Sequence, residues 1–345
     1  RGAEHRTLSS CNIMLLLEVA FRPLRLLTTR CATLGGHSRR ATTVTTTHVP
    51  TWLRDNEASF APPVMNKLLH REQLSIMFVG GPNTRKDFHL EAGSEFFYQL
   101  RGTMELPIVQ AGRRELVTIR EGEVFLLPSR IPHSPQRPEP GSIGLVIERK
   151  RYEDEEPDGL RFYTDFHACQ HVLWEKYFHC SDLGKDLVPI IGEFNASEEK
   201  ATGQPSATSV LGSSAPLAQD VTTVVPPPFD LGAWLDEHAA QLDGGDALNL
   251  FPGHPDKEFS VRVIGGPSEQ RAQQWAYETW LYQLAGEAIF TLAAGAPADG
   301  CRDEQITLGE GSWVMVPAGR EYSVDRPAGS RGLVVTNDPT GNQLR

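Results

Sequence analysis

Cysteine is scarce in this chain: five in 345 residues, at Cys11, Cys31, Cys169, Cys180 and Cys301. The number is odd and no CxxC occurs, which argues against a disulfide framework and for a reducing compartment. Positive charge is also in short supply. With 33 Lys and Arg against 44 Asp and Glu, the formal net charge is −11. That balance excludes a general nucleic-acid-binding surface, although a few local Arg residues suffice for a small anionic substrate. The apolar run from Ile13 to Phe21 is short and broken by Glu18, so it cannot span a membrane. What remains is an ordinary globular composition, with 22% charged and 39% hydrophobic residues. The length suits two domains.

Residues 1–47 hold seven Arg, no Lys, and only Glu4 and Glu18 as acids. Arg-rich, Ser-rich and acid-poor is the composition of a transit peptide. We read this stretch as an atypical extension outside the fold, and prefer a gene-model artefact over a working address. Residues 48–200 form a first domain. To about Arg151 it reads as short strands with Gly and Pro turns, the pattern of an antiparallel barrel. From Leu160 to Phe194 helix is expected, with Val172, Leu173, Glu175, Lys176 and Tyr177 as its core. Arg149-Lys150-Arg151 and Glu153 to Glu156 are expected to be a solvated rim. Residues 201–227 are a linker, within a Ser-, Thr-, Ala- and Pro-rich run from Ala196 to Pro228. Residues 228–345 form a second domain.

The stretch from Gly80 to Arg137 carries the chemistry. His89 and Glu95 are six residues apart, and His133 follows a Pro-bounded strand. Neutral imidazole and carboxylate hold a borderline divalent metal, and two His with one carboxylate leave open positions, as in non-haem Fe(II) oxygenases. Even spacing lets His89 and Glu95 share a strand face if the Glu91-Ala92-Gly93 loop keeps the register. His133 must then come from another strand. Glu91, two residues from His89, is the rival carboxylate.

Asn83-Thr84-Arg85-Lys86-Asp87-Phe88-His89 and Leu127 to Arg137, with Phe60 to His70 upstream and Gly144 to Arg149 downstream, resemble the 3-hydroxyanthranilate 3,4-dioxygenase family of cupins. The resemblance runs from about Trp52 onward. It implies a cupin double-stranded β-helix with one Fe(II) per chain on His89, Glu95 and His133, which favours Glu95 over Glu91. It implies ring opening of 3-hydroxyanthranilate by O2 to 2-amino-3-carboxymuconate semialdehyde, the precursor of quinolinate in kynurenine catabolism and NAD biosynthesis. By the same resemblance Arg137 binds the substrate carboxylate and Arg85 lies at the O2 site. Glu148 acts as acid or base on the substrate hydroxyl, and Asn66 hydrogen-bonds substrate or oxygen. Some microbial relatives carry a second iron site built from CxxC pairs. None exists here, so a single metal is expected. The family is cytosolic, and a cytoplasmic protein with no nucleic-acid or membrane partner is expected, mitochondrial targeting being the lesser alternative.

The central stretch recurs. Val79-Gly80-Gly81-Pro82 returns as Ile264-Gly265-Gly266-Pro267, Phe97 to Gly102 as Leu281 to Gly286, and Thr118 to Gly122 as Thr307 to Gly311. We therefore expect an all-β-dominated chain of two cupin barrels with a few short helices between them. The ligands do not recur: the His89 position falls on Gln273 or Gln274, the Glu95 position on Thr279 and the His133 position on Tyr322. A metal-free second barrel that covers the first is expected, and with it a monomer. Arg137 does recur, as Arg326, which gives that Arg a partly structural role. Cupins host many chemistries. The rivals are another metal cupin, such as a phosphosugar isomerase or thiol dioxygenase, and a storage or regulatory protein with a vestigial site. Arg85 and Arg137 together favour an aromatic acid as substrate.

Overall fold

The structure is a computed structural model that describes residues 44–60, 65–293 and 303–337. Most of the N-terminal extension, Ala61 to Val64 of the resembling segment, and Cys11, Cys31 and Cys301 lie outside the described residues. No described helix is long and apolar enough to cross a membrane.

Strands dominate, as the alternation of apolar and polar residues dictates. Leu74–Gly80 buries every second side chain to nine-tenths or more. It lies in a six-stranded sheet ordered Phe229–Asp230, Glu123–Leu127, Glu95–Arg101, Ile143–Arg149, Leu74–Gly80 and Asn66–Arg71. The second copy builds the matching sheet: Thr45–His48, Ser312–Val316, Thr279–Ala285, Arg331–Asn337, Phe259–Gly265 and Ala247–Asn249. Each sheet closes against smaller ones. In the first barrel these are Val172–Phe178, Asp158–Tyr163 and Phe88–Leu90, with the hairpin Met104–Gln110 and Arg113–Ile119.

Two edge strands are exchanged. Thr45–His48 pairs with Ser312–Val316 of the second barrel, so Thr45 to Thr47, expected to lie outside the fold, belong to it. Phe229–Asp230, after the linker, pairs with Val124 and Glu123 of the first. Both exchanges cap an edge that would otherwise offer unpaired backbone. The outer faces of the two large sheets share one core, in which Trp52, Phe78, Phe96 and Ile147 meet Val261, Trp280, Trp313 and Val335. Each barrel also has its own interior cluster. The second barrel thus covers apolar surface of the first.

Register confirms the repeat at the level of single residues. His89 lies opposite His133 and Gln273 opposite Tyr322. Asn83 faces Arg137 as Ser268 faces Arg326. Gln273, rather than Gln274, is therefore the counterpart of His89.

Two expectations fail. Val172–Phe178 is a strand, paired with Asp158–Tyr163, and the helix begins only at Leu183. Branched and aromatic residues suit the pleat there, and Glu175 lies buried against Arg161 Nε at 2.7 Å. The basic run is not a solvated rim either. Lys150 is exposed, but Arg149 is 8% exposed and Arg151 turns inward. Three buried carboxylates facing Arg151 explain why it does so. The Ala196–Pro228 segment has no core of its own but is tied down along the first barrel. Leu217 is buried and Gln219 contacts both Arg161 and Val109.

Candidate metal centre

His89 and Glu95 do not share a strand. His89 is the middle residue of Phe88–Leu90, whereas Glu95 opens the strand Glu95–Arg101 in a different sheet. The turn between them carries the chain from one wall of the barrel to the other. His133 comes from the segment after Glu123–Leu127, which returns antiparallel to His89. The His89 and His133 backbones exchange hydrogen bonds of 2.8 and 2.9 Å. Three side chains from three directions thus bring one ligand atom each within 4.8 Å of one another, all buried.

The state of these atoms shows what they fit. His133 Nδ1 lies 2.9 Å from the Ile131 carbonyl, which only accepts, so Nδ1 carries the proton and Nε2 is bare. Burial holds the His133 imidazole below its ordinary pKa, which favours its neutral form. Its bare Nε2 lies 2.7 Å from Glu95 Oε1, an oxygen that finds no hydrogen-bond donor. Two lone pairs facing each other in a dry interior repel unless a proton or a metal ion joins them. Asp158 orients the second imidazole, its Oδ2 2.8 Å from His89 Nε2, as carboxylates commonly do for metal-binding histidines. Burial works to raise Asp158, but Arg151 and His89 together hold it below the ordinary carboxylate range.

Glu91, Glu95 and Glu148 form a second buried group of acids. That group already has a cation. Arg151 meets Glu91, Glu148 Oε2 at 2.8 Å and Asp158 Oδ2 at 2.7 Å. The His89–Glu95–His133 group has none of its own, which makes it the better metal site. Burial, then the charge of Glu148, lifts the Glu95 carboxyl to about 7 from its ordinary 4.5.

A pH dependence follows. Between about 4.5 and about 7 the native metal-free chain retains a Glu95 proton that the unfolded chain has lost. The stability due to Glu95 therefore falls as pH rises through that window and levels off above it. A divalent metal needs the ionised carboxylate. The rise in Tm on adding metal is expected to grow from pH 5 to about pH 7 and then flatten, which melting curves with and without Fe(II) or Co(II) would show.

The flanking residues are placed as follows. Arg137 is 2% exposed, and its guanidinium packs against Gly144. Burial lowers its pKa to about 10, against the opposing field of Glu95. Its Nε and Nη2 have no hydrogen-bond partner, and neither do those of Arg326 at the matching position of the second barrel. A Cβ at Gly144 would lie 2.8 Å from Arg137 Nη2 and 2.6 Å from Gln99 Oε1. Gly144→Ala is expected to cost about 1–3 kcal/mol of stability and to tilt the guanidinium. Chemical denaturation would give the first and KM the second.

Arg85 is already engaged: its Nε donates to Asp87 Oδ2 at 2.9 Å, and Gln136 clamps its backbone with two bonds of 2.8 Å. Glu148 is 3% exposed and directly across the strand pair from Glu95. Asn66 is exposed and lines a cavity of about 240 Å³ together with Met77, Glu148, Arg151 and Cys180. Burial pushes the Cys169 thiol up to about 11 and the Cys180 thiol higher still, so neither is a ready nucleophile. Sequence reasoning missed Asp158, Asp87, Gln136 and Arg151. A neighbour two residues from a ligand was the available signal only for Asp87.

The comparisons with known proteins identify the family. A family model described as 3-hydroxyanthranilic acid dioxygenase matches residues 41–195. The 3-hydroxyanthranilate 3,4-dioxygenase of Rattus norvegicus is 45% identical over 293 residues, covering 84% of this chain and 96% of that protein. The Homo sapiens protein of the same name is 42% identical over 293 residues, with the same coverage. Among solved structures, a variant of Bacillus subtilis oxalate decarboxylase is similar with a TM-score of 0.44 and 17% identity, over 79% of this chain and 73% of that chain. A likeness of that degree adds nothing to the assignment. On relatives matched over almost their whole length, and on a His–Glu–His centre built where the motifs placed it, this chain belongs to the 3-hydroxyanthranilate 3,4-dioxygenase family.

Proposed function

We propose that the chain is an Fe(II)-dependent dioxygenase that opens the ring of 3-hydroxyanthranilate with O2, giving 2-amino-3-carboxymuconate semialdehyde. The observation that carries this reading is the bare His133 Nε2 facing the orphaned Glu95 Oε1, with His89 alongside. These three residues would hold one iron. When bound, it supplies Lewis acidity and a path for electrons between an electron-rich ring and O2.

The remaining steps belong to the protein. Arg137 binds the substrate carboxylate through its two free donors in a planar pair. Glu148 takes the proton of the ring hydroxyl, and Arg151 supports the resulting charge balance. Arg85, steadied by Asp87 and Gln136, stabilises negative charge developing on oxygen. Asn66 hydrogen-bonds the substrate from the cavity side. Orienting both reactants at one centre makes their encounter effectively unimolecular. The second barrel, with Gln273, Thr279 and Tyr322 at the matching positions, holds no iron. The two barrels of one chain cover each other, which supports a monomer, and the family resemblance supports a cytoplasmic protein.

The test is oxygen uptake after protein loaded with Fe(II) without air meets 3-hydroxyanthranilate, followed with the ultraviolet absorbance of the product. Coupled uptake and absorbance growth are expected. Iron binding without uptake would leave the site standing and remove the substrate.

A further inference from the structure

The two barrels greet each other with the same contact made twice, in opposite directions. Gln73 precedes the strand Leu74–Gly80, and its Oε1 accepts the N–H of Glu278 at 2.7 Å; Glu278 directly precedes Thr279. Glu258 precedes the strand Phe259–Gly265, and its Oε2 accepts the N–H of Ser94 at 2.8 Å; Ser94 directly precedes Glu95. The chemistry of the two contacts differs. The second barrel receives a neutral amide. The first receives a carboxylate, answered by Arg149 Nε in an ion pair.

Arg149 directly follows Glu148. At Gly93 a Cβ would come within 3.3 Å of Arg149 Cγ and Nε and 3.4 Å of Glu258 Oε2, so glycine leaves room for the approach. The same segment of the second barrel holds two further points. Asp256 Oδ2 accepts the N–H of Ser129 at 3.1 Å, and His254 Nε2 donates to the Leu126 carbonyl at 2.9 Å. Leu126 lies near the end of the strand Glu123–Leu127, and Ser129 lies in the segment that leads on to His133.

We propose that Glu258, in the barrel without the ligand set, is a positioning residue for the metal centre of the other barrel. It pins the turn from which Glu95 emerges and, through Arg149, the end of the strand that bears Glu148. The inference rests on the reading of His89, Glu95 and His133 as metal ligands. It makes the second barrel part of the site's support as well as a cover for its apolar surface.

Glu278 is the matched control. Its Oε2 also crosses between barrels, accepting from the Gln73 and Leu74 N–H groups at 2.9 Å each and contacting His70 Nε2 at 3.0 Å, but it touches no ligand-bearing loop. Full-length wild type, Glu258→Gln and Glu278→Gln are loaded with Co(II). Release to excess chelator and the visible cobalt bands are recorded alongside Tm. Glu258→Gln keeps an acceptor for Ser94, and Arg149 keeps Glu155 at 2.6 Å, so the variant is built to fold. Gly93→Ala is the second variant, wedging the same contact apart from the other side.

Both variants at the Ser94–Arg149 contact are expected to release metal faster, by about tenfold for Glu258→Gln, with altered bands. Glu278→Gln should lower Tm yet release metal at the wild-type rate. Release from Glu258→Gln at the wild-type rate, or equal acceleration by both Gln variants, would overturn the proposal. Wild type that holds no Co(II) would instead remove the metal reading itself, and this inference with it.

Discussion

His133→Ala abolishes stoichiometric iron binding and, with it, ring opening. The substitution removes an imidazole whose bare nitrogen is fixed by a carbonyl bond on its far side, so no rotation of a neighbour replaces it. Glu95 and His89 remain, but two ligands on opposite walls of a barrel do not hold a borderline metal at neutral pH. Loss of a mere supporting partner costs roughly 10–100-fold in affinity or activity; loss of a ligand is expected to exceed that range. Metal analysis after desalting should give less than a tenth of an equivalent, by our rough expectation from the same scale. The fold should persist, because the backbone bonds that His133 exchanges with His89 do not depend on its side chain. A variant that keeps its iron would show that the metal sits elsewhere.

Arg137→Lys raises KM for 3-hydroxyanthranilate by on the order of a hundredfold, with a smaller fall in kcat. Lysine keeps the charge but offers a point where the substrate carboxylate needs a planar fork. Truncating one side of a buried charged pair costs about 2–5 kcal/mol, and a hundredfold is about 2.7 kcal/mol. The repeat supplies an internal control. Arg326 occupies the same cradle in the second barrel: it packs on Gly332, donates to Gln283 Oε1 at 3.2 Å and is lowered to about 10 by burial. Whatever the cradle contributes to stability is present in both copies. Arg326→Lys should therefore lower Tm to a similar extent and leave KM unchanged. If both variants shift KM alike, Arg137 is structural and the carboxylate binds elsewhere.

The parts of this fold that the sequence disclosed are those governed by short-range rules. Glycine and proline punctuation marked the strands of the first barrel, and the recurrence of Gly265-Gly266-Pro267 and of Leu281 to Gly286 announced the second. The candidate metal ligands were visible as residue types in family motifs, although not for the reason of a shared strand face. His89 and Glu95 converge because the chain changes sheets between them, not because six residues preserve a face. What stayed hidden depended on partners distant in sequence. Val172–Phe178 reads as helix until Arg161 and Asp158–Tyr163 are beside it. Arg151 reads as a solvated charge until Glu91, Glu148 and Asp158 surround it. Glu258 has no local signal at all, since its significance comes from a turn 164 positions earlier in the chain.

The most direct test is anomalous diffraction at the iron edge from crystals loaded with Fe(II) and soaked with 3-hydroxyanthranilate in the absence of air. One peak is expected, between His89, Glu95 and His133, with the substrate carboxylate on Arg137 and no peak beside Gln273, Thr279 and Tyr322. A peak among Glu91, Glu95 and Glu148, or one in the second barrel, would contradict it.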